Sequence, residues 1–119
     1  DEEVRSLPLD PASIAFFEEI GASGGQLPGG GSGGERVVEG YMYALGDPFT
    51  IEDFYLVAIN PWLPTCPFCY RAPRKQERIL VRTGGRTLDV CNGPVRVTGV
   101  LGWEDGVVLD LTAFEVMLP

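Results

Sequence analysis

Cys66 and Cys69 form a Cys-x-x-Cys pair inside the stretch NPWLPTCPFCYRAPRK, residues 60–75, which also holds four prolines and opens a run of basic residues. Cys91 is the third and last cysteine of the chain. Two thiols at this spacing can exchange a disulfide, ligate a soft metal, or close a covalent loop. Redox exchange wants the first thiol at a helix N-terminus after a strand, where the dipole lowers its pKa. Pro73 interrupts the helix that would have to follow, although Arg71, Arg74 and Arg78 favour a thiolate electrostatically. A structural zinc takes four Cys or His ligands. With three cysteines and no histidine, a full set would need Asp89, Glu77 or water, while three thiolates alone suit a trigonal Cu(I). The remaining use is one disulfide with a thiol left over. A bridge from the loop to Cys91 would close about 25 residues and contribute on the order of 3 kcal/mol. The expectation is that the pair is a staple.

Other catalytic constellations are absent from the sequence. Without histidine the commonest general base and the usual triads are excluded. Glu18-Glu19 and Glu52-Asp53 are sequence neighbours, and neighbours on a strand point to opposite faces. The glycine tract 21–34 lacks the Lys-Ser/Thr ending of a phosphate loop and precedes a strand. Trp62, Trp103, Tyr41 and Tyr43 suit packing at a core, rim or interface. The chain therefore reads as non-catalytic, with thiol-disulfide exchange the one enzymatic class left open. No cofactor is expected beyond a metal ion on the three thiols.

Charge narrows the partners. The 119 residues carry a net charge of −8. Residues 1–60 hold eleven acids and two bases, whereas six of the nine bases lie between Arg71 and Arg86. A surface of this sign repels nucleic acid. No apolar run approaches the roughly 20 residues of a membrane-spanning helix. Three cysteines, a Gly/Pro-rich make-up and a start at Asp1 point to an exported protein, extracellular or periplasmic.

The elements that must position these residues follow from periodicity. Residues 10–21 read as a short helix, with Asp10 as cap, Pro11 in the first turn and Gly21 as stop. Ile14, Phe16, Phe17 and Ile20 fall on one broad face, which must dock because so short a helix is not stable alone. Eight glycines in residues 21–34 make a linker with a reach of roughly 20 Å. From Arg36 the pattern has period two, and IEDFYLVAIN is apolar on both faces, as in a barrel wall covered outside. ERILVRT-GG-RTLDV predicts a hairpin of residues 77–83 and 86–90 with Val81 opposite Leu88, which places Cys91 opposite Arg78. A phase change at Thr112–Ala113 predicts a bulge, and Gly40 and Gly99 lie inside strands. The fold class is all-β with a short N-terminal helix: a small antiparallel OB-like barrel, or alternatively an SH3-like barrel or β-sandwich. Residues 1–34 are expected to form an N-terminal helix and a Gly-rich linker or docking arm, and residues 35–119 the OB-like barrel.

VVEGYMYAL, DFYLVAIN, TCPFC and PVRVTGVL, in that order, resemble a family of bacterial exported proteins with an OB-like fold and no assigned function. The resemblance spans residues 36–112, leaves out the N-terminal helix and does not include Cys91. It implies an accessory role outside the inner membrane. The functional expectation is a non-catalytic exported module acting through protein contacts, as an accessory binding protein or a subunit of an extracellular assembly or filament. The alternative is thiol-based metal handling or disulfide exchange through Cys66, Cys69 and Cys91. Partners are a second copy or another exported protein. For self-association, Ile14, Phe16, Phe17 and Ile20 are expected to dock on a neighbouring subunit, helped by Arg71, Arg74, Lys75 and Arg78.

Overall fold

The computed structural model describes residues 9–25, 34–44, 50–51, 53–59, 72–86, 88–89 and 93–117. Among these residues, one helix and seven strands follow in chain order: α1 (Pro11–Ala22), β1 (Glu35–Ala44), β2 (Thr50–Ile51), β3 (Phe54–Val57), β4 (Arg78–Arg82), β5 (Leu88–Asp89), β6 (Pro94–Trp103) and β7 (Val107–Val116). Five strands close a barrel in the order β1-β3-β4-β7-β6. Its seams are antiparallel except β4–β7, which is parallel. That order with one parallel seam is the OB-type closure expected from the sequence.

Two glycines let the walls curl. A β-carbon on Gly40 would lie 2.9 Å from the Val57 carbonyl oxygen, and one on Gly99 would overlap the Asp110 carbonyl. Gly99 also borders the predicted bulge. Thr98 pairs with Ala113 and Gly99 with Leu111, so Thr112 is the extra residue. The β6–β7 hairpin turns over Asp105 (φ 53°) and Gly106 (φ 132°), as the Asp-Gly dipeptide predicts.

The Gly84-Gly85 turn forms too: both φ values are positive, and the Thr83 hydroxyl donates to the Arg86 carbonyl at 2.8 Å. The strand beyond it does not return along β4. Val81 is aligned with Phe54 on one side and Leu109 on the other, while Leu88 pairs with Ile51 in a separate two-stranded sheet of β2 and β5. The predicted pairing of Val81 with Leu88 is therefore corrected. A strand has two edges, and a barrel wall occupies both. The count that carried Cys91 to Arg78 loses its basis, and Cys66, Cys69 and Cys91 themselves lie outside the described residues. In the described frame, Val57 and Pro94 are both aligned with Tyr41.

The helix docks on its own barrel. Phe16, Phe17 and Ile20 join Val38, Met42, Phe54, Leu56, Ile79, Val81, Val95, Val97 and Leu109 in one core. The expectation that this face reaches a neighbouring subunit is corrected for these three residues, whose burial is complete or nearly so within one chain. Ile14 stays 41% exposed, and Ser13 takes its place on the buried face. The exchange is polar in origin, because the Ser13 hydroxyl accepts the Glu39 N–H at 2.8 Å. Glu39 then accepts the Asp10 N–H at 2.7 Å, and its other oxygen accepts from Arg96 at 3.0 Å. Thus Glu39, rather than the Asp10 side chain, holds the start of α1. At the other end Gly25 N–H donates to Ile20 and Gly24 N–H to Gly21. With Gly24 at φ 71°, this is a Schellman stop, three residues beyond the predicted Gly21. Trp103 fixes the exit by donating from Nε1 to the Gly25 carbonyl at 3.0 Å.

The barrel wall at β1 and β3 is buried on its outer side as well. Val57 is fully covered and Tyr41 nearly so, in a small cluster with Leu9 that Tyr43 and Tyr55 flank. Burial raises the Tyr41 pKa above its ordinary value of 10.0.

Candidate interaction site

β7 is longer than the neighbour that should cover it. It runs ten residues against five in β4, and only Val108 to Asp110 are aligned with that strand. Past Arg82 the chain turns away at Gly84-Gly85. From Leu111 to Val116, β7 therefore has a ladder partner on the β6 side alone, among the described residues.

The hydrogen-bond phase follows from one contact. Met117 N–H donates to the Pro94 carbonyl at 3.1 Å, which makes residues 117 and 94 a hydrogen-bonded pair. Antiparallel ladders alternate, so Glu115 and Ala113 turn their backbone groups toward β6. Phe114 and Val116 turn theirs to the open edge. Phe114 is anchored from inside, its ring edge-on to Phe54 with centroids 6.5 Å apart. Val116 is 46% exposed, and Thr112 and Ala113 are exposed as well. Glu115 accepts from Arg96 Nη1 at 2.9 Å. Such an edge offers main-chain donors and acceptors to an extended peptide.

A second feature is an apolar cleft of about 240 Å³ between α1 and the ends of β3 and β4, floored by Ile14, Phe17, Ala58 and Ile59 and rimmed by Glu18 and Glu77.

The basic residues expected at an interface are engaged within the chain. Arg74 pairs with Glu77 at 3.3 Å and Lys75 with Asp105 at 3.5 Å. Arg78 lies 4.4 Å over the Tyr55 ring and donates to the Pro73 carbonyl at 2.8 Å. Further on, Arg82 binds both Asp110 and Glu104 at 2.8 Å, which raises its pKa, the Asp110 hydrogen bond contributing most. Arg96 is raised likewise, first by its hydrogen bond to Glu39 and then by Glu115. Within the basic segment these cations are paired with Glu77, Asp105, Glu104 and Asp110 of the same chain. Arg74 and Lys75 keep exposed side chains in these pairs, so the interface role expected of Arg74, Lys75 and Arg78 stays a proposal; Arg71 lies outside the described residues.

Phe114 and Val116 stand out in the sequence only as the apolar phase after the shift, not as expected site residues. The signal that bears on them is the phase change at Thr112–Ala113, which marks where β7 leaves the cover of β4. Their exposure as an edge needs the topology, because only a map of neighbours shows which strand runs past its partner.

No protein family matches the chain, and no curated protein matches it. In three dimensions it is similar to a DUF3299 family protein from Pseudomonas aeruginosa PAO1, at 19% identity and a TM-score of 0.49, over 92% of this chain and 82% of that one.

Proposed function

We propose that the chain is a non-catalytic, exported β-barrel module that acts through protein contacts, docking an extended strand on the open edge of β7. The observation that carries this reading is the outward-facing backbone of Phe114 and Val116 on an edge that, among the described residues, no strand covers. Natural edges are blunted by lysine, proline or a covering segment. Leu111 to Val116 contain neither residue type, and their one charge, Glu115, is held by Arg96. The bulge at Thr112 marks the start of the open stretch without covering it. Export rests on composition, through the three cysteines and the Gly/Pro-rich make-up.

A Lys-capped peptide of alternating Thr and Val, added to the isotope-labelled protein, tests the reading by backbone NMR. Shifts concentrated at the Phe114 and Val116 amides, with β1 unmoved, are expected. Shifts confined to the cleft at Ile14 and Ile59, or spread evenly over the surface, contradict it.

A further inference from the structure

Which strand would fit this edge is written in the edge itself. An antiparallel partner must place opposed residues on the same face of the sheet. On β7 beyond the bulge, Phe114 lies on the core side, its ring against Phe54, while Glu115 lies on the outer side with Arg96. Pairing the segment with its own copy about a two-fold axis at Phe114 opposes Phe114 with Phe114, Thr112 with Val116, Ala113 with Glu115, and Leu111 with Met117. Like charges never face each other in this register, and the outward groups of Phe114 meet their own equivalents. An axis at Glu115 would set carboxylate against carboxylate. One at Ala113 would carry the pairing into Asp110, which β4 already covers. The segment centred on Phe114 also spans the part of β7 that runs past β4, from Leu111 to the strand's end at Val116.

We infer that β7 pairs with β7 of a second copy, antiparallel about Phe114, to give a closed two-fold dimer. This rests on the reading of β7 as a docking edge. A two-fold contact uses the same patch on both partners and stops at two, so by itself it gives a closed pair and not the filament that the sequence reading allows. Its salt dependence is opposite in sign as well. Each chain carries a net charge of −8, so salt screens repulsion between copies and tightens the dimer. A docking built on the basic segment would weaken instead.

Sedimentation equilibrium of the full chain, at low and high salt, reads the association constant. Ala113 is exposed and faces Glu115 of the second copy twice in the proposed register. Ala113→Glu should therefore weaken the dimer by about 10-fold and Ala113→Lys tighten it by a similar factor, since each charged cross-strand pair shifts the balance modestly. Val116→Pro should abolish it, because the lost N–H faces the open edge and the β6 ladder keeps its bonds. Circular dichroism confirms that each variant is folded. The Ala113 pair carries the test if Val116→Pro fails to fold. A chain that stays monomeric at millimolar concentration overturns self-pairing, as does a dimer indifferent to the charge at position 113. If that monomer still binds the Thr/Val peptide at Phe114 and Val116, the docking reading stands without the self-pairing.

Discussion

Replacing Ile20 by alanine removes a side chain with no solvent exposure from the contact between α1 and the barrel. Deletions of this kind cost about 2–5 kcal/mol, through lost transfer energy and the cavity left behind. Against a total stability of roughly 5–15 kcal/mol, that is a large share. For a chain of this length, 1 kcal/mol moves Tm by roughly 4 °C, so Ile20→Ala should lower Tm by about 8–20 °C. Ile14→Ala, at a position 41% exposed, should stay within about 0.5 kcal/mol and move Tm by about 2 °C or less. The assay is thermal unfolding by circular dichroism at two protein concentrations about 30-fold apart. If α1 belongs to its own barrel, the gap between wild type and Ile20→Ala is the same at both concentrations. Equal effects at positions 14 and 20, or a gap that closes on dilution, would refute docking within the chain and return the helix to a neighbouring subunit.

Three further outcomes follow from the frame around the site. Gly99→Ala drives a methyl into the Asp110 carbonyl and should cost about 1–3 kcal/mol in urea unfolding, with the midpoint shifted and the slope unchanged. Glu39→Ala leaves the Asp10 N–H without its acceptor and removes a partner of Arg96, so about 1–3 kcal/mol should be lost, with faster amide exchange in the first turn of α1. Tyr41 has a folded pKa raised by burial above 10.0. The unfolded chain therefore releases this proton more readily, and the stability it contributes is full below pH 10 and lost as pH rises through the folded value. Tyr41→Phe should flatten the alkaline fall in stability above pH 10, measured as Tm against pH.

The barrel was legible because its signals are local and agree with one another. Period-two runs gave β1, β6 and β7; glycines inside strands marked the tight corners; the Asp105-Gly106 turn joined the longest hairpin; and the phase slip at Thr112 gave the bulge. Pairing across long separations was less accessible. The Gly84-Gly85 turn was read rightly, yet alternation in Ile79, Val81, Leu88 and Val90 says only that each segment has a buried face, and cannot say which strand lies beside it. Charge shows a similar limit. Counting acids and bases by halves shows a dipole along the chain, but it cannot say which residues meet: Arg96 reaches Glu39 across 57 positions and Lys75 reaches Asp105 across 30. Ser13 for Ile14 on the buried helix face was invisible because its cause, the Glu39 N–H, is 26 residues away. The cysteine-bearing positions lie outside the described residues, and the sequence-level reading of them as a staple is unchanged.

Amide hydrogen exchange along β7, measured by NMR on the dilute full chain, tests the open edge most directly. The account predicts that Ala113, Glu115 and Met117, whose N–H groups face β6, exchange slowly, while Phe114 and Val116 exchange fast and become protected as the protein concentration rises. Uniform protection from Ala113 to Met117 at the lowest concentration would contradict it, because the outer edge of β7 would then already have its partner within the chain.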